Sequence, residues 1–213
     1  MDNKIEVILT DLGGVVYKSA GFRATISKFL NAEPGDPLVQ KAVSIFLEAF
    51  TNGADELQLL GEIAKATNKS LEEAYGLRDC FEFSINTDYL AFLKQLSKDY
   101  RIGILSDNNC LIYNLIRRNI PDFDEIFTPA LVFLSFLEND SKYLGGRRYF
   151  QKIVDKIHVE ADRILLIDDG SENIRQAADI KIKTLRYLRT ANEAADNRKC
   201  FDEIISVLKR NLT

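Results

Sequence analysis

"ILTDLGGVV", residues 8–16, is an apolar, β-prone run that stops on a carboxylate, Asp11, and passes at once into two glycines. A run of this kind reads as a short buried strand. Asp and Gly are ordinary turn residues, so by itself the stretch says no more than strand and turn. Its meaning depends on what ends the other strands.

Similar runs recur at "IEVILT" (5–10), "RIGIL" (101–105), "RILLI" (163–167) and "IKTLRY" (182–187). Between them lie helical spacings: Phe22, Ile26, Phe29 and Leu30; Tyr89, Leu93 and Leu96; and, last, Phe201, Ile204, Ile205 and Leu208. Strands alternating with helices imply an α/β fold with a doubly wound parallel sheet. One interval breaks the alternation. Between about Lys18 and Asn86 no strand is predicted, only helical patterns punctuated by "EPGDP" (33–37) and "TNG" (51–53), with a capping signature in Ser70 and Glu73. It is too long for a crossover and reads as an inserted helical subdomain. A second irregular stretch, "ALVFLSFLENDSKYLGGRR" (130–148), reads as a strand plus a long surface loop; its apolar part offers a contact for a homodimer.

The strand ends share a chemistry. The first ends at Asp11, the second at Ser106 in "IGILSDNN", and the strand at 163–167 at Asp168 and Asp169 in "ILLIDDGSEN". In a doubly wound sheet, ligands sit beyond the carboxyl ends of the strands. Three acids and a hydroxyl would converge there, which like-charge repulsion disfavours unless a cation joins them. Oxygen donors without paired His or Cys point to a hard cation, Mg²⁺. A carboxylate beside such an ion can attack phosphorus and form an aspartyl-phosphate. The glycines after Asp11 let a ligand approach the backbone.

Composition sets the bounds. At 213 residues, 46% hydrophobic and 28% charged, the chain is ordinary in make-up and long enough for one domain with a large insertion or for one large and one small domain. A net charge of −4 with no basic stripe excludes broad nucleic-acid binding. The three cysteines, Cys80, Cys110 and Cys200, lack metal-ligand spacing and read as reduced thiols. The single histidine, His158, excludes a two-imidazole mechanism and reads as a surface loop residue. The longest apolar run, "PALVFLSFL" (129–137), falls short of the ~20 residues of a membrane span. The N-terminus has no signal-peptide pattern, so the expected location is cytoplasmic, without membrane partners.

The motifs together resemble the haloacid dehalogenase-like hydrolase superfamily, in its branch with a helical cap between the first and second motifs. "ILTDLGGVV", "IGILSDNN" and "ILLIDDGSENIRQA" stand as its first, second and fourth motifs. "TNGADELQLLGEIAKATNKSLEE" (51–73) is similar to the second half of its cap, and "TDYLAFLKQLSKDYRIGILSDN" (87–108) to the helix and strand entering the second motif. The resemblance covers nearly the whole chain. It implies a Rossmann-like core of residues 1–17 and 87–213, an all-helical cap of residues 18–86, and a Mg²⁺-dependent phosphatase acting on a small phosphorylated metabolite. It further implies Asp11 as nucleophile and metal ligand, with the Gly13 carbonyl as another ligand. Ser106 and neighbouring backbone would hold the phosphoryl group, with Gly13, Gly14, Asp107 and Asn108 lining that pocket. Asp169 would bind the metal directly, Asp168 directly or through water, and Asn173 would support the loop.

The sequence departs from the family pattern at three places. Gly13 stands where the phosphatases usually carry a second Asp, the general acid, although some members beginning Asp-Leu-Gly are phosphatases. Without that acid, a substrate with a good leaving group suffers least. The Lys of the third motif has no counterpart in place: Lys142, the lysine of this loop and the candidate for that catalytic role, lies about two residues too far upstream, while Arg147, expected to bind substrate, and Arg148 are cationic alternatives closer to the helix. Asp107 occupies a position where Asn is common. Two further readings therefore stand beside the phosphatase: a catalytically weak or inactive protein that binds a ligand or partner, and a 2-haloacid dehalogenase.

Overall fold

The computed structural model describes residues 4–210. Its strands are β1 (Val7–Thr10), β2 (Tyr17–Ser19), β3 (Phe83–Ile85), β4 (Arg101–Ser106), β5 (Val132–Leu134), β6 (Ile164–Asp168) and β7 (Lys183–Arg186). The helices are α1 (Phe22–Leu30), α2 (Pro37–Glu48), α3 (Glu56–Thr67), α4 (Leu71–Tyr75), α5 (Thr87–Leu96), α6 (Cys110–Asn119), α7 (Phe123–Ile126), α8 (Ser135–Glu138), α9 (Lys142–Gly145), α10 (Arg147–Ile157), α11 (Ser171–Ala178) and α12 (Glu193–Arg210).

Every residue of β1 is buried, and alternate side chains enter different cores: Ile8 packs with one apolar cluster, Val7 and Leu9 with the other. β6 repeats this, with Leu165 and Ile167 on one face and Ile164 and Leu166 on the opposite one. Strands apolar on both faces demand cover on both, which parallel crossovers supply. The sheet is accordingly parallel, in the order β5-β4-β1-β6-β7, with Ile8 in register between Ile102 of β4 and Leu165 of β6. The fold is thus α/β, with a Rossmann-like core. Asp11, Ser106 and Asp168 fall at one edge because β1, β4 and β6 are adjacent and run the same way.

Residues 18–86 are not wholly helical. β2 and β3 pair antiparallel, Tyr17 opposite Ile85 and Ser19 opposite Phe83, and form a two-stranded ribbon where the chain leaves and re-enters the sheet domain. The ribbon is anchored by the Asn86 N–H to the Val16 carbonyl and by the Tyr17 ring set edge-on to Phe83, 5.3 Å between centroids. α1–α4 lie between the two strands. α4 begins with the expected capping box of Ser70 and Glu73, and α3 has a second, of Asp55 and Gln58. The apolar cluster on the Ile8 face runs without interruption into these helices through Ile26, Phe46, Leu60 and Ile63. Two side chains at α6 stitch the layers together: Asn109 Nδ2 donates to the Phe46 carbonyl at 3.1 Å, and Asn114 Nδ2 to Glu56 at 2.7 Å.

The stretch 130–148 also departs from the expected strand and surface loop. β5 has only three residues, and α8 and α9, each a single turn, follow it. Ser141 and Lys142 are buried. Asp140, Ser141 and Asp107 accept backbone N–H groups in this stretch and fold it inward. His158 is exposed at the end of α10, and all three cysteines are free thiols. Among the described residues no helix is long and apolar enough to cross a membrane.

Candidate active site

Asp11 follows β1 and is held by its own backbone. Its N–H donates to the Ile167 carbonyl at 2.9 Å, and its Oδ1 accepts the Leu12 N–H at 2.7 Å. Oδ2 faces the Lys142 ammonium at 2.9 Å. That ammonium also donates to Asp168 Oδ2 at 2.7 Å, and its side chain is 2% exposed. Lys142 is therefore the cation of the site. Arg147 and Arg148 are not: both are exposed on the first turn of α10, where they line a surface groove with Gln151, Lys152 and Asp155. Arg147, expected to bind substrate, is thus on the surface of α10, and it is Lys142, on the turn of α9, that lies 2.9 Å from Asp11.

Asp168 is fully buried and its second oxygen is also committed. Oδ1 accepts the Gly170 N–H at 2.8 Å and Asn173 Nδ2 at 2.9 Å. Asn173 thus fixes the loop after β6. Asp169 projects across to the β1 loop and lies over Gly14, whose φ of +73° and bare α-carbon let it do so. One carboxylate oxygen from each of Asp11, Asp168 and Asp169 lies within 4.8 Å of the other two.

Ser106 Oγ accepts Asn108 Nδ2 at 2.8 Å and, at 3.4 Å, the Leu12 N–H, which places it beside Asp11. Asn108 is itself engaged throughout: its N–H donates to Ser135 Oγ, its carbonyl accepts from the same hydroxyl, and its Oδ1 accepts from the Tyr17 hydroxyl at 3.1 Å. Asp107 Oδ1 accepts the Lys142 N–H at 3.0 Å. The side chains of Asp107 and Asn108 are therefore bound to the protein's own scaffold, and Asp107 steers the lysine. Ser135 and Tyr17 were not singled out by the sequence. Ser135 follows β5 directly as the first residue of α8, a polar group just past a strand as Asp11 is; Tyr17 gives no signal beyond an aromatic at a strand end.

Electrostatics follow from the crowding. Burial pushes the Asp11 carboxyl up to about 7, with Asp168 adding to the rise while Lys142 and Ser106 oppose it. Asp169 is raised too, by burial and then by Asp168. Burial alone would lower the Lys142 ammonium, but Asp11, Asp168 and Asp107 override it and hold it above its ordinary value. Three carboxylates around one ammonium leave the cluster short of positive charge. Oxygen donors at this spacing with uncompensated negative charge fit a hard divalent cation.

No family model matches the chain, and no curated protein matches it. Solved structures do. A haloacid dehalogenase (HAD) family enzyme of Bacteroides thetaiotaomicron, in complex with magnesium and inorganic phosphate, is 19% identical at a TM-score of 0.72, over 89% of this chain and 98% of its own. A predicted HAD-like family hydrolase of Porphyromonas gingivalis is 20% identical at 0.71, over 92% and 97%. An L-2-haloacid dehalogenase is 15% identical at 0.61, over 95% and 99%. The chain has the fold of the haloacid dehalogenase-like hydrolases.

Proposed function

We propose that the protein is a magnesium-dependent phosphatase that hydrolyses a small phosphorylated metabolite through an aspartyl-phosphate on Asp11. The observation that carries this reading is the buried Lys142 ammonium between Asp11 and Asp168, beside a third carboxylate and a serine hydroxyl. A lone lysine buried against two acids, with a third half-buried beside them, is costly to stability, and charged groups perturbed in this way cluster at sites that bind or react.

Asp11, Asp168, Asp169 and the Gly13 carbonyl would hold the magnesium, which when bound supplies positive charge against the phosphate. In the reaction the ionised Asp11 attacks phosphorus and expels the leaving oxygen, and water then hydrolyses the acyl phosphate. Ser106 holds a phosphoryl oxygen. Lys142 orients Asp11 and neutralises the added charge, and Asp107, Asn108 and Asn173 keep these groups in place. Residues 18–86 act as a cap over the core of residues 1–17 and 87–213, excluding water from the site. The bound magnesium and phosphate of the Bacteroides enzyme support the reading by likeness of fold. A dehalogenase needs no cation, and the acid pair with its glycine-seated Asp169 favours the phosphatase.

The test is phosphate release from sugar, aryl and acyl phosphates, with and without magnesium, beside Asp11→Asn. Turnover that requires magnesium and vanishes in the variant is expected. Turnover absent from both overturns the reading in favour of a binding protein, and equal turnover in native protein and variant overturns Asp11 as the nucleophile.

A further inference from the structure

Breaking a phosphate ester places negative charge on the departing oxygen, and a donor aimed at that oxygen lowers the barrier. The cations and hydroxyls nearest Asp11 are already committed. Lys142 lies between two carboxylates, and Ser106, whose oxygen accepts from Asn108 and Leu12, gives its own hydrogen bond to Asp11. Gly13, next but one to Asp11, contributes no side chain.

The space beside Gly13 is bounded by another residue. A Cβ built there would meet the Tyr17 hydroxyl at 3.7 Å and the ring carbon bearing it at 3.9 Å. Tyr17 is 5% exposed, and its hydroxyl reaches Asn108 at 3.1 Å, one hydrogen bond from Ser106. Its position is fixed at both ends. The backbone is tied by its N–H to the Leu12 carbonyl and by its carbonyl to the Gly14 N–H, both at 2.9 Å, and the ring rests edge-on against Phe83. A phenol is protonated at neutral pH, and its O–H can turn from one acceptor to another.

We propose that Tyr17 is a catalytic residue, whose hydroxyl donates a hydrogen bond to the leaving-group oxygen at the face left open by Gly13. The role rests on the phosphatase reading above. As the Asp11 oxygen bonds to phosphorus, the ester P–O bond breaks and its electron pair stays on the departing oxygen. Tyr17 stabilises that charge and keeps its own proton. Water protonates the departing oxygen, and the hydroxide so formed hydrolyses the acyl phosphate and regenerates Asp11.

The experiment measures kcat/KM for phosphate monoesters whose leaving groups run from acidic phenols to simple alcohols, in native protein and Tyr17→Phe, with thermal melts of both. The variant keeps the ring against Phe83. The expected loss is small on the acidic phenol ester and grows to about 10²-fold on the alkyl ester, the effect of one oriented donor. The double variant Tyr17→Phe/Gly13→Asp, which restores a donor in the same space, recovers part of the alkyl-ester rate. Gly13 is not in the left-handed region, so a side chain fits. A loss that is uniform across the series overturns the role of Tyr17 and leaves the phosphatase intact. Absence of turnover in native protein across the series overturns both.

Discussion

The carboxylate of Asp169 rests against the bare α-carbon of Gly14, so close that a methyl group there would stand 2.0 Å from Oδ2. Gly14→Ala must therefore displace Asp169 and also hold an L-residue at a φ of +73°. The conformational part costs about 1–2 kcal/mol. The expected result is a modestly less stable protein with magnesium affinity lowered at least tenfold, read by calorimetric titration. Unchanged affinity would separate Asp169 from the metal.

Lys142→Met leaves Asp11 and Asp168 buried without their shared cation. Removing one partner of a buried ion pair costs about 3–5 kcal/mol. Urea unfolding of the metal-free protein should show a loss of that order, and Arg147→Ala, at an exposed site, a change within about 0.5 kcal/mol. Equal effects of the two substitutions would contradict the assignment of the site cation.

Metal binding should depend on pH with a definite sign. Asp11 titrates near 7 in the folded protein against an ordinary 3.8. Its contribution to the stability of the metal-free fold is therefore full below the unfolded value and is lost as pH rises through about 7. Magnesium must displace that proton, so its affinity rises over the same interval. The thermal shift produced by a fixed magnesium concentration should be larger at about pH 8 than at about pH 5.5. A shift that shrinks with rising pH would count against Asp11 as a ligand.

Asn86 closes the seam between the ribbon and the last helix. Fully buried, it caps α5 through the Tyr89 N–H, donates to Tyr187, and exchanges amide hydrogen bonds with Asn197 of α12 at 2.9 and 3.0 Å. Asn86→Ala removes a helix cap and strands a buried amide, at a combined cost of about 2–4 kcal/mol. Chemical denaturation tests this, and a loss below about 1 kcal/mol would mean that Asn197 finds another partner.

The strand ends were readable because β1, β4 and β6 are apolar on both faces and stop on polar groups, so Asp11, Ser106, Asp168 and Asp169 announce themselves. β2 and β3 are three residues each and stand far apart in the chain, too short for alternation to show. Lys142 reaches Asp11 from farther upstream than the motif's spacing allows, for a geometric reason. A helical turn advances about 1.5 Å per residue and extended chain about 3.3 Å, so the α9 turn shortens the path that a count along the sequence assumes. Tyr17 and Ser135 come to the site through tertiary contacts, both with Asn108 and, for Tyr17, with the space beside Gly13, which no spacing along the chain announces.

The strand order has a kinetic consequence. β1 pairs with Arg101–Ser106 on one side and Ile164–Asp168 on the other, and is made before either. Its carboxylate can meet Lys142 and Asp168 only after the whole helical segment and most of the sheet have been threaded past it. Contacts so distant in sequence close slowly. A chain halted short of β6 presents the apolar edge of β1 bare, a template for pairing with other chains. The same arrangement that concentrates negative charge in one place thus makes its assembly depend on contacts distant in the chain, which are slow to close.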